Sequence, residues 1–176
     1  SYKTNGQQVS EKVFVSKHHQ AIILEFKTAA KEGLNGKIKL NRPMDEGHPT
    51  ATVRAGTDGL LKMLGMVTQR GGQFNSEPTP ILEGVKFETC LKIQNSDGEV
   101  IQGADYLELK NVKNATFYLV SNSSYYHEDY ESQNKKDLTA LSGTSVKNIE
   151  NEHIKDHQNL FSRVQLKLGD NSLDSI

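Results

Sequence analysis

The chain has no tryptophan, one cysteine, four prolines and no excess of charge of either sign; 21 basic and 22 acidic residues leave a formal net charge of −1. With Cys90 alone, an intramolecular disulfide and a cysteine-based zinc site are excluded, and Cys90 reads as an ordinary strand residue. Interspersed charge of both signs gives no basic footprint, so no nucleic-acid partner is expected. No run approaches the ~20 apolar residues of a spanning helix, so no membrane partner is expected. Residues 1–15 are polar and lack the apolar core of a signal peptide. At 176 residues the chain can bury roughly 70% of the surface its unfolded form exposes, enough for a core without staples.

What is present in quantity is turn chemistry. Asn5-Gly6, Asn35-Gly36, Asp58-Gly59 and Asp97-Gly98 punctuate the first hundred residues, and each pair can supply the positive φ angles of a tight hairpin. Their flanks alternate: Ile22, Leu24 and Phe26 on one face; Ile38 and Leu40; Leu61, Met63 and Val67; Phe87, Thr89, Leu91 and Ile93; Leu107 and Leu109. Thr116–Val120 is a continuous apolar run suited to a central strand. Short strands without intervening helices predict a mainly β, antiparallel sandwich or large twisted sheet. Arg42–Thr57 and Gln69–Pro80, rich in Gly and Pro, read as long loops.

From Ser121 the composition turns polar and aromatic. A short helix can begin within Asn134–Leu141, and Thr144 is a candidate N-cap for a longer one. There Val146, Ile149, His153, Ile154, His157, Leu160 and Phe161 fall within an arc of roughly 140° at 100° per residue, a core-facing stripe that predicts burial of Leu160 and Phe161. After Arg163 the period becomes two, with Val164, Leu166 and Leu168 alternating with Gln165 and Lys167, as in a closing strand that Gly169-Asp170 ends.

The segment His153-x-x-Asp156-x-Gln158-x-Leu160-Phe161-x-Arg163-Val164-x-Leu166-x-Leu168-Gly169 resembles the junction between the N-terminal β-domain and the helical catalytic barrel of glycoside hydrolase family 95, the α-L-fucosidases and their relatives. His157 stands where that family usually has an aromatic, commonly Tyr. Tyr2–Phe26 is similar to paired strands of the family's N-terminal domain, and Ser123-Ser124-Tyr125 to its Thr-Ser-Tyr. The family's Trp- and Gly-rich opening segment has no counterpart here. The resemblance therefore implies a segment that begins inside the β-domain and stops before the barrel. It also implies a supersandwich-like β-sandwich over 1–122, an aromatic loop and linker helices over 123–162, and a closing strand and tail over 163–176. For the parent it implies an inverting, secreted or periplasmic glycosidase acting on α-L-fucosyl or α-L-galactosyl linkages, without a metal or other cofactor. For this segment it implies a non-catalytic part whose partner is the (α/α) barrel of the same chain.

Residue by residue, few chemical sites stand out. His153 and His157, four apart, have a zinc-compatible spacing, but Ile154 replaces the Glu a metalloprotease helix needs. A half-buried, hydrogen-bonded pair is the preferred reading. Tyr125, Tyr126, His127 and Tyr130 form an aromatic cluster that either stacks on sugar, such as a fucosylated glycan, or packs against a helix or neighbouring domain. Glycoside hydrolysis needs two facing carboxyls, and spacing singles out no pair among the acidic residues. In the resembling family the catalytic groups lie on the barrel, so no catalytic residue is assigned. His153, Asp156, Phe161 and Arg163 are read as structural linker residues, Arg163 in a salt bridge with Asp156 or Glu152. The alternative function is a free-standing carbohydrate-binding or adhesion module using the Tyr125–Tyr130 loop.

Overall fold

A computed structural model describes residues 1–4, 6–44, 50–67, 69–70, 81–82 and 84–165. Along them run β1 (Tyr2–Thr4), β2 (Gln7–Ser16), β3 (Ala21–Thr28), β4 (Leu34–Ile38), β5 (Ala51–Ala55), β6 (Leu60–Met66), β7 (Gln69–Arg70) and β8 (Ile81–Leu82). They are followed by β9 (Lys86–Ser96), β10 (Glu99–Gln102), β11 (Leu107–Val112), β12 (Asn114–Ser123), α1 (Tyr130–Ser142) and α2 (Val146–Phe161). The fold is mainly β. Seven strands form one antiparallel sheet in the order β1-β2-β3-β12-β9-β6-β5. A second sheet, β10-β11-β4, is also antiparallel, and β7 pairs with β8 as a short ribbon.

The apolar run at Thr116–Val120 lies in β12, the middle strand of the large sheet. It lacks alternation because both of its faces are covered. Ala115 and Phe117 pack with Leu61, Leu91, Leu107, Leu109 and Val112 between the sheets. Tyr118 and Val120 point the other way, into a core shared with Phe14, Ile23, Cys90, Leu141 and Ile149. The molecule thus has three layers: small sheet, large sheet and helices, with α1 against β9 and β12 and α2 against β2.

The turn pairs behave in different ways. Asp58 and Gly59 join β5 to β6 with φ of 56° and 71°, the two positive angles of a tight hairpin turn. A side chain at Gly59 would also collide with Ile93. Gly6, at φ 74°, lies between the paired strands β1 and β2. Asn35-Gly36, expected as a turn, sits inside β4 opposite β11, where Asn35 Oδ1 accepts a bond from the Asn111 amide at 3.0 Å. Asp97-Gly98 is a corner rather than a hairpin, because β9 and β10 belong to different sheets. The Asp97 carboxylate accepts bonds from the Lys113 and Asn114 amides at 2.8 and 2.9 Å, and only glycine fits at 98, where a Cβ would come within 2.5 Å of the Lys110 carbonyl oxygen. Arg42–Thr57, expected as loop, contains β5; its inward residues Ala51, Val53 and Ala55 are too small to register strongly. Gln69–Pro80 lies mostly outside the described residues.

The helices begin where side chains can cap them. Asp129 accepts a bond from the Ser132 amide at α1, and Ser145, one residue beyond the expected Thr144, does so from the Asn148 amide at α2. The stripe on α2 divides in two. Ile149 is fully buried and Val146 packs beside it, but Ile154, Leu160 and Phe161 are 41%, 51% and 73% exposed. Burial of Leu160 and Phe161 is therefore corrected. Sixteen residues span about 24 Å, and by Glu152 the helix has already reached His19 in the turn that ends β2. Of the expected closing strand, Val164 and Gln165 are described and are not in a strand; the rest lies outside the described residues.

Ile149→Ala should therefore cost about 2–5 kcal/mol of stability in urea unfolding. Phe161→Ala should change it by no more than about 0.5 kcal/mol.

Candidate functional site

The feature that sets the helical layer on the sheet is polar. Glu88 on β9 is fully buried. Lys62 on the neighbouring strand β6 reaches it at 2.8 Å, the Cys90 thiol donates to it at 3.2 Å, and Asn134 of α1 donates to it at 3.1 Å. The same Asn134 amide also donates to the Glu88 carbonyl at 2.8 Å. Asn122 of β12 then donates to Asn134 Oδ1 at 2.9 Å and to Asp137 at 2.8 Å, and Gln133 donates to Asp137 at 2.8 Å. One helix is thus bonded to two strands.

Burial by itself would raise the Glu88 carboxyl, but bonds from Lys62, Asn134 and Cys90 together outweigh it and hold the group below its ordinary value. Burial likewise opposes the Lys62 ammonium, yet its bond to Glu88 leaves it above the ordinary value. Burial, and then the bond to Glu88, push the Cys90 thiol up to about 12. A thiol so far from ionising is no nucleophile. The network is a fastening, not a reaction centre.

α2 is held by a second set of charges, Lys12 pairing with Glu25 at 2.6 Å and with Glu150 at 3.1 Å. Its aromatic groups form a ladder along one face. Phe14 meets His153 at 5.3 Å between ring centroids, His153 meets His157 at 6.3 Å, and His157 meets Phe161 at 5.9 Å. His153 is half-buried, whereas His157 is exposed. Among the described residues neither ring has a side-chain hydrogen bond, so stacking replaces the expected hydrogen-bonded pair. Asp156 and Arg163 are exposed. Glu152 pairs with His19 at 3.1 Å, and no described residue forms an ion pair with Arg163. Beyond His153 the ladder continues past the end of β2, where Ile154, Leu160 and Phe161 leave exposed apolar surface on the outer half of the helix and Val164, 77% exposed, follows just after its end.

The tyrosine loop lies apart from that face in sequence. Tyr125 and Tyr126 are 72% and 79% exposed, with their rings edge-on at 4.8 Å. Tyr130, the first residue of α1, is half-buried and lines a groove with Thr52, Leu64 and Phe87. The first two tyrosines face solvent, and the third is a packing residue. Sequence reasoning missed Glu88 and Asn134, because a buried polar residue leaves no mark in the apolar periodicity. No described helix is long and apolar enough to cross a membrane.

Fold and surface define an antiparallel β-sandwich module with a helical layer fastened to one face and projecting past its edge. Residues 1–128 match the glycosyl hydrolase family 65 N-terminal domain. The chain belongs to that family and is an N-terminal domain of a glycoside hydrolase. The match spans every strand described and stops before α1. It agrees with the resemblance read from the sequence on the kind of domain, though the family number differs. No curated protein matches the chain.

Lys62→Met should cost about 3–5 kcal/mol near neutral pH, since it strands a buried carboxylate. The loss should shrink in acid, where that carboxyl takes up a proton. In the wild type the folded Glu88 releases its proton more readily than in the unfolded chain. Its stabilisation is complete above the ordinary value of about 4.3 and disappears as pH falls through the lower folded value. Urea unfolding of both proteins across the acid range checks the sign.

Proposed function

We propose that this domain is the non-catalytic, bracing part of a secreted or periplasmic glycoside hydrolase of the inverting, α-L-fucosidase-like family 95 type. Its partner is then the (α/α) catalytic barrel of the same parent chain. The observation that carries this reading is the apolar face on the outer half of α2. Ile154, Leu160 and Phe161 are exposed on a helix whose inner half is already packed against β2, and Val164 is exposed just beyond its end. An apolar face that the domain's own core does not use suits a contact with another module. The fucosidase specificity rests on the resemblance of residues 153–169 to the junction segment of family 95, and the family match supports the coarser part of it.

Two measurements test it. The 176-residue chain should not turn over an aryl α-L-fucoside; turnover abolished by replacing one of its own carboxylates would make this domain the enzyme. In the parent enzyme, Phe161→Asp should uncouple the β-domain from the barrel, splitting a single thermal transition into two. An unchanged melting profile would remove the brace.

A second reading has its own observation, the exposure of Tyr125 and Tyr126. Aromatic faces open to solvent can stack on sugar rings. A fucosylated glycan that binds the wild type at micromolar strength, and not a Tyr125→Ala, Tyr126→Ala variant, would favour a carbohydrate-binding module. The bracing account expects no measurable binding.

A further inference from the structure

We propose that the turn between β2 and β3, together with α2, forms a binding site for one divalent transition-metal ion of the zinc type, with His18, His19 and Glu152 as its protein ligands. The turn is held by its own hydrogen bonds. Gln20 takes a left-handed φ of 49° and its side-chain amide donates to the Lys17 carbonyl at 2.6 Å, while the His19 amide donates to the buried Ser16 hydroxyl at 3.3 Å. This shape presents two adjacent imidazoles, edge-on with centroids 5.0 Å apart. α2 brings Glu152 to them from the opposite side, its Oε2 lying 3.1 Å from His19 Nε2. One ligand atom from each of the three residues lies within 4.8 Å of the other two, and among the described residues this is the one His/Cys/Asp/Glu group so arranged.

The donor set selects the ion class. Two imidazole nitrogens and one carboxylate oxygen suit zinc and its neighbours, whereas calcium and magnesium prefer all-oxygen shells. Metal–ligand distances of about 2.0–2.2 Å require the donors to close up by roughly an ångström. The exposed His18 ring can supply that by rotating about its side-chain bonds. Three protein ligands leave a coordination position open to water or to a group from a partner. Asp156, one helical turn beyond Glu152, lines the same groove as His18 and Gln20 and is placed to hydrogen-bond a metal-bound water. Lys17 and Lys155 border that groove too, and their charge opposes the cation, so micromolar rather than nanomolar affinity is expected.

The site bridges two elements. It joins the tip of a hairpin in the large sheet to the point where α2 leaves it, so a bound ion would fasten the helix at the base of its exposed face. This goes beyond the bracing role and does not depend on it, because the ligands are all on this chain.

The probe is zinc chloride titrated into the chelator-stripped 176-residue protein, followed by calorimetry and by the melting temperature. One equivalent should bind and raise the melting temperature with zinc concentration. Cobalt in its place should give visible d–d absorption from a nitrogen- and oxygen-ligated site. His19→Gln and Glu152→Gln should each weaken binding at least tenfold, and His18→Gln, an exposed change that spares the His19–Glu152 contact, should do the same without disturbing the metal-free fold. A His153→Gln, His157→Gln double variant should bind as the wild type does. Absence of saturable binding, binding that survives all three single variants, or binding lost only in the His153/His157 variant would each overturn the assignment.

Discussion

A buried carboxylate decides how this domain is layered. Glu88 would be costly to bury alone, because an ion taken out of water loses several kcal/mol of hydration even after the protein relaxes. Lys62, the Cys90 thiol and the Asn134 amide satisfy it. Of these only Asn134 comes from outside the sheet. Correct placement of α1 is thus a condition for closing the shell around the charge. An apolar helix could settle on an apolar sheet in several nearby positions. A helix that must deliver one amide to both a buried carboxylate and a backbone carbonyl has far fewer choices.

The position of α2 follows from that of α1. Gly143, Thr144 and Ser145 leave little freedom between them, and Ile149 completes the core that Leu141 begins. With the inner end seated and Lys12 gripping Glu150, the axis of α2 is set, and its sixteen residues carry it beyond the end of β2. The exposed face at Ile154, Leu160 and Phe161 is therefore a consequence of where α2 is seated, since by Glu152 it has already reached the turn that ends β2. The same chain of constraints brings Glu152 to the two histidines of the β2–β3 turn. Fastening, projection and the candidate metal ligands share one geometric cause.

Much of the β architecture was legible. Asp58-Gly59 is a tight turn because both residues need positive φ, and Thr116–Val120 is the central strand because an unbroken apolar run suits a strand covered on both faces. Asn35-Gly36 misled because pairing across to β11 overrode a local turn preference. Along β9, alternation put Phe87, Thr89, Leu91 and Ile93 on one face and gave no signal for the other, where the helical layer covers Glu88 and Cys90. Periodicity reports which residues share a face, not whether a third layer will cover it. The α2 stripe shows the complementary limit: its period is real over the whole helix, but a helical wheel cannot register where the sheet beneath it ends. His18 and His19 carried no spacing signal, since their third partner lies more than a hundred residues away.

The account turns on the Glu88–Asn134 contact as the fastening of the helical layer, and amide hydrogen exchange in Asn134→Ala tests it most directly. Loss of that side chain removes bonds to both the carboxylate and the carbonyl of Glu88 while leaving the inter-sheet core untouched. Exchange should quicken through α1 and the inner half of α2, with protection retained at Phe117, Leu91 and Leu109 between the sheets. Protection unchanged in the helices, or lost equally in both cores, would contradict it.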